Sequence, residues 1–162
     1  MIITLKDGST KEYAEAKQII DIAYDISEGL ARAACAGEID GETADLRTVI
    51  DRDCKLNILT ARDEKGLAAL RHTASHVLAE AVQNLFPDAK VAIGPSIDTG
   101  FYYDFESAPF SREDLDAIEK EMKKIIKKGA KIERFTKSRE EAIAFFQERN
   151  EPYKVELIED LP

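Results

Sequence analysis

His72 and His76 are the only histidines in the chain, and they stand four residues apart in Arg71-His72-Thr73-Ala74-Ser75-His76. On a helix, side chains at i and i+4 lie one above the other on the same face. Two imidazoles so arranged can share a water, a substrate group or a metal ion, and an ordinary pKa of about 6.5 suits them to proton transfer near neutrality. As a zinc motif the pair is thin, because the protease pattern needs Glu directly after the first His and Thr73 stands there. Two ligands are too few for a closed zinc site, so no metal is expected at this pair.

The element that must hold the pair runs from Asp63 to Phe86 and reads as one helix, with Asp63 as N-cap and Pro87 closing the far end. Its apolar stripe is Leu67, Leu70, Ala74, Val77, Leu78, Ala81 and Leu85. His72 and His76 fall opposite the centre of that stripe, which by itself describes an exposed pair. The surrounding residues are Ala68, Ala69, Thr73, Ser75 and Ala79, with Glu80 and Gln83 further along. An ordinary surface helix carries Lys and Glu there. Small neighbours leave room for something to approach, so a functional site and a solvated pair both stay open.

With 162 residues the chain makes one or two small domains. A formal charge of −9 argues against a freestanding nucleic-acid binder held by phosphate contacts. It leaves room for an accessory domain that meets a nucleic acid at one point. Cys35 and Cys54 lie outside any CxxC pattern and read as reduced structural thiols of a cytosolic protein. No signal peptide or long apolar run is visible, so the expectation is a soluble cytoplasmic protein without a membrane partner.

Two units of an α+β protein are predicted. In the first, Met1–Leu5 is a strand, Asp7-Gly8 a hairpin turn, and Ser9–Tyr13 the return strand. One helix follows with Ile19, Ile22, Ala23, Ile26, Leu30 and Ala33 buried, Gly29 inside it and Gly37 as its stop. Asp40-Gly41 is a turn, Leu46–Ile50 is short and partly apolar, and Cys54–Leu59 is a strand. Arg62–Gly66 is the boundary. The second unit opens with the histidine helix, then strands at Lys90–Ile93 and Phe101–Phe105 around Gly94-Pro95 and Asp98-Thr99-Gly100. Ser111 and Asp114 cap a helix with Leu115, Ile118, Met122, Ile125 and Ile126 inward. Lys120, Lys123, Lys124, Lys127 and Lys128, interleaved with Glu119 and Glu121, form a solvated face by default rather than an RNA patch. Strands are expected at Lys131–Phe135 and Tyr153–Leu157, separated by a helix that Ser138 and Glu141 cap.

These residues resemble the N-terminal region of bacterial-type threonyl-tRNA synthetases. The opening strand ending in Asp7-Gly8 and the stretch Ala36-Gly37-Glu38-Ile39-Asp40-Gly41 are similar to the TGS domain, a ubiquitin-like β-grasp module assigned here to residues 1–62. Residues 66–162 resemble the first part of the editing domain, through HxxxH (His72, His76), the segment Ala92 to Asp104 and the element Tyr153-Lys154-Val155. HxxxH alone says little; followed in order by Gly94-Pro95 and Gly100-Phe101-Tyr102-Tyr103-Asp104 it is specific.

The resemblance implies an enzyme that joins threonine to tRNA with ATP, and an editing site that hydrolyses serine wrongly attached to that tRNA. It implies that His72, His76 and Lys154 belong to the editing site, with Tyr103 and Gly94 as substrate-binding positions. ATP, Mg²⁺ and a zinc are used by the family in an aminoacylation core outside these residues, so no cofactor is expected in this region. The tRNA 3′ end is the implied partner and a homodimer the implied parent assembly. The family's downstream CxxxH element does not occur before Pro162, so the chain reads as a piece of a longer synthetase with little or no activity alone. Other readings are a TGS-containing regulatory or binding module of another enzyme, such as a nucleoside kinase fusion, a freestanding trans-editing deacylase, and a zinc hydrolase.

Overall fold

The hairpin signalled by Asp7-Gly8 forms. In the computed structural model, which describes residues 1–130 and 132–162, β1 (Ile2–Leu5) pairs antiparallel with β2 (Thr10–Glu12), Ile3 opposite Lys11. Asp7 closes the turn by accepting from Ser9 N at 2.9 Å and Ser9 Oγ at 2.6 Å. The chain divides into two compact units, Met1–Arg71 and His72–Pro162.

In the first unit β3 (Lys17–Gln18) leads into α1 (Ile19–Ile26) and α2 (Glu28–Ala33). Then come β4 (Ala34–Ile39), β5 (Glu42–Ala44), β6 (Val49–Ile50) and β7 (Cys54–Thr60). The main sheet has the order β2-β1-β7-β4-β5, with β1 and β7 parallel and the other pairs antiparallel. Ile3, Ile19, Ile22 and Leu56 are the most deeply buried large side chains, each contributing roughly 1.5–3 kcal/mol by leaving water. A five-stranded mixed sheet with a helix on one face is the β-grasp arrangement expected.

The single helix expected over residues 19–33 is two. Ser27 adopts extended backbone (φ −167°, ψ 148°), and its Oγ accepts from Leu30 N at 3.1 Å, which caps α2. The break shifts the buried position from Ala33, which is exposed, to Ala31. Gly37 does not stop a helix; it lies within β4. A Cβ there would sit 2.7 Å from Ile19 Cδ1, so a hydrogen is what lets α1 lie so close to the sheet. The Asp40-Gly41 turn has φ of +52° and +97°, the left-handed pair of a tight hairpin.

The second unit is built on α3 (Glu64–Leu85), which carries the chain into it. Four short strands follow: β8 (Lys90–Val91), β9 (Ser96–Ile97), β10 (Gly100–Phe101) and β11 (Phe105–Glu106). β9 pairs with β10 and β8 with β11, both antiparallel, so the aromatic run is two strand ends around a Tyr102–Asp104 loop and not one strand. The helices are α4 (Arg112–Lys128), α5 (Arg139–Glu148) and α6 (Pro152–Glu159). Both expected capping boxes, Ser111/Asp114 and Ser138/Glu141, are present. α4 packs through Ile118, Met122 and Ile125, while Leu115 and Ile126, expected inward, are exposed.

Two expected strands are corrected. Lys131 lies outside the described residues, and among the described residues 132–135 are not a strand. Tyr153–Leu157 is helical, inside α6. Pro152 at the first helical turn sacrifices no hydrogen bond, and Glu151 O accepts from Lys154 N (3.1 Å) and Val155 N (3.3 Å). Five residues of alternation were outweighed by that start and by packing against α5.

Candidate functional site

α3 buries a different face from the one its apolar stripe suggests. Ser75, Ala79, Ala81 and Val82 are buried, whereas Leu70 and Leu85 are exposed. The buried side is rotated roughly a quarter turn from the centre of the leucine stripe toward the histidines. The cause is local. Ser75, 0% exposed, sets its Oγ 2.7 Å from His72 O and 2.8 Å from Gly94 O, so the loop after β8 lies directly on the helix. A side chain larger than serine or alanine would hold that loop away. His72 and His76 consequently border a packed face while remaining exposed themselves.

The two rings meet edge to face, centroids 4.7 Å apart at 86°, with Nε2 to Nε2 at 3.1 Å. At that distance one nitrogen must donate and the other accept, so the pair cannot carry a proton on both facing nitrogens. The pKa of His76 is lowered, first by partial desolvation of its ring where it borders the packed face and then by the charges of His72 and Lys154. Near neutrality His76 is therefore an uncharged imidazole able to accept a proton or a hydrogen bond.

Lys154 reaches this place from α6. Its Nζ donates to Ala92 O at 3.1 Å and, at a long 3.4 Å, to Tyr103 Oη. The ammonium lies 5.9 Å from the centre of the Tyr103 ring, and its two hydrogen bonds leave one hydrogen without a partner among the described residues. Tyr103 in turn stacks on Phe105 with centroids 5.0 Å apart. Gly94 lies against the same tyrosine: a Cβ on it would be 2.0 Å from Tyr103 Cδ2. Asp104 fixes the loop through Ala92 N to Asp104 O (3.0 Å) and Asp104 N to Ile93 O (2.9 Å).

Thus His72, His76, Tyr103, Gly94 and Lys154 converge within the second unit, although Lys154 arrives on a helix and not on a strand. Among the described residues no group of three or more His, Cys, Asp or Glu side chains is poised to hold a metal ion. No helix among them is long and apolar enough to cross a membrane. Three contributors were not singled out from sequence. Ser75 was counted only as a small residue, the Ala92 carbonyl carries no side-chain signal, and Glu151 shows itself only as the residue before Pro152.

Comparison with known proteins first gives the class: residues 1–60 match the family model for the TGS domain. Over nearly the whole chain the relatives are more particular. It is 63% identical over 161 residues to a threonine--tRNA ligase of Acetivibrio thermocellus, covering 99% of this chain and 25% of that protein. A threonine--tRNA ligase of Clostridium botulinum strain Hall is 58% identical over 161 residues, with the same coverage. One from Caldanaerobacter subterraneus subsp. tengcongensis is 53% identical over 163 residues, covering 100% of this chain and 25% of the relative. The chain spans about a quarter of the length of the curated relatives it matches, and corresponds to their N-terminal part.

Proposed function

We propose that the chain serves as the N-terminal TGS and editing region of a threonine–tRNA ligase, a cytoplasmic enzyme that attaches threonine to tRNA with ATP. In this reading residues 1–62 are the TGS domain and residues 66–162 the first part of the editing domain. The need for such a site is energetic. A pocket that accepts threonine discriminates against serine by one methyl, about 1–3 kcal/mol, which is too little for faithful translation.

The reaction is hydrolysis of the ester between serine and the ribose of the tRNA 3′ end. Water adds to the carbonyl carbon, the bond to the ribose oxygen breaks, and that oxygen takes a proton. His76, held neutral, accepts a hydrogen bond from the attacking water or from a ribose hydroxyl, and His72 shares the proton at 3.1 Å. The free hydrogen of Lys154 faces the negative charge that develops on the carbonyl oxygen or the neighbouring phosphate. Tyr103 and Gly94 form the wall against which the aminoacyl end rests. ATP, Mg²⁺ and zinc serve the ligase core elsewhere in the parent, which acts as a homodimer.

The observation that carries the proposal is that Lys154 is held on the loop of residues 92–103, which also lies on Ser75 between the two paired imidazoles. The test is a chimaera in which these 162 residues replace the matching quarter of the Acetivibrio thermocellus relative. It should deacylate seryl-tRNA(Thr), and His72→Ala or Lys154→Met should slow that step at least tenfold while leaving threonylation intact. Unchanged deacylation in both variants would refute the assignment. The 162-residue chain alone is expected to give no turnover.

A further inference from the structure

Gln83 lies on the histidine side of α3. Counting 100° per residue, His72, His76 and Gln83 fall within about 40° of one another, so they form one row along the helix. Gln83 Nε2 donates to Glu151 Oε1 in a close, partly buried hydrogen bond. Glu151 is the residue from which α6 starts, and its carbonyl accepts from Lys154 N. Gln83 thus meets the start of α6 roughly 10 Å along α3 from His76, and Lys154, one turn into α6, sets its ammonium on Ala92 O and Tyr103 Oη, near enough to His76 for its charge to act on that ring.

We propose that Gln83 and Glu151 are positioning residues whose hydrogen bond fixes α6 on α3 so that the Lys154 ammonium is held beside the His72/His76 pair. This rests on the site reading given above. The clasp is more costly to leave open than an ordinary surface contact. Glu151 Oε2 is buried with no hydrogen-bond partner among the described residues, so Gln83 supplies the side-chain hydrogen bond that this carboxylate receives. Removing that donor leaves a partly buried carboxylate without its side-chain hydrogen bond, which α6 relieves by moving out to water. Apart from the contacts of Lys154 itself with Ala92 O and Tyr103 Oη, this helix has a side-chain tie to the strands from Tyr153 Oη to Glu106 Oε2 at 2.7 Å, which is exposed and competes with solvent.

The test is the ring titration of His76 by NMR in the 162-residue chain, with the nuclear Overhauser contact between Lys154 and Tyr103 as a second readout. Lys154→Met sets the scale: with the neighbouring cation gone, His76 titrates at higher pH. Gln83→Leu should raise it by the same amount and abolish the Lys154–Tyr103 contact, with helix content unchanged. Glu151→Ala, which disrupts the clasp from the other side, should do likewise. Loss of a carboxylate charge alone would move His76 the opposite way, so a rise reports displacement of Lys154. Glu151→Gln, which can still accept from Gln83, should restore the wild-type titration. If Lys154→Met moves His76 but neither Gln83→Leu nor Glu151→Ala does, the positioning role is overturned and the site stands. If Lys154→Met itself moves nothing, the site fails and the positioning role with it.

Discussion

Gly94→Ala isolates the packing that shapes the site. Gly94 is not in the left-handed region, so alanine meets no backbone penalty and the effect is steric. The new Cβ would lie 2.0 Å from Tyr103 Cδ2 and 2.3 Å from Cε2. Ordinary carbon contacts begin near 3.4 Å, so ring or loop must retreat by about 1.4 Å. The ring has little freedom, because it stacks on Phe105, and Phe105 packs against the Ala81, Val82, Ala89 and Ile118 cluster. Overpacking of this kind costs about 1–3 kcal/mol. The 3.4 Å contact from Lys154 to Tyr103 Oη is already long and would open. Urea unfolding followed by circular dichroism should show the loss at unchanged m-value, and NMR should show the Tyr103 and Lys154 signals displaced. Stability within about 0.5 kcal/mol of wild type, with those signals unmoved, would refute the reasoning.

Other outcomes follow from the same contacts. Val82→Ala, at a site 1% exposed in the second unit's core, should cost about 2 kcal/mol in urea unfolding; a loss below about 0.5 kcal/mol would contradict its burial. Ser27→Ala removes the cap on Leu30 N and should cost about 1 kcal/mol, whereas Ser27→Gly should cost only a few tenths. Stability should depend on pH through His76. Its folded-state pKa is lowered, so as pH falls below the ordinary 6.5 the unfolded chain takes the proton first. The contribution is thus intact above 6.5 and lost as pH falls through the folded value. Denaturation midpoints at pH 7.5 and 5 should differ less in Lys154→Met than in wild type, and an equal difference would argue against the coupling.

What was legible in the sequence was local. The Asp7-Gly8 and Asp40-Gly41 turns and both capping boxes need only their own few residues, and all four form. The histidine helix was legible too, because i and i+4 spacing needs no partner. What failed was decided at a distance. The buried side of α3 was set by Gly94 O reaching Ser75, not by where leucines recur. The five-residue alternation at Tyr153–Leu157 suggested a strand, yet Pro152 and the neighbouring α5 made a helix. Ser27 split a helix that periodicity joined, because its hydroxyl offers the backbone a cap in mid-run. Lys154 could not have been brought to the histidines from spacing at all. About eighty residues separate them, and only the resemblance named it.

The most direct measurement uses an adenosine that carries serine at its 3′ position through an uncleavable amide. Titrated into the isotope-labelled chain, it should shift the His72 and His76 ring signals together with those of Tyr103 and Lys154, saturably, and the threonine version should bind more weakly. No movement of the ring signals at excess ligand, or shifts confined to the first unit, would contradict the account.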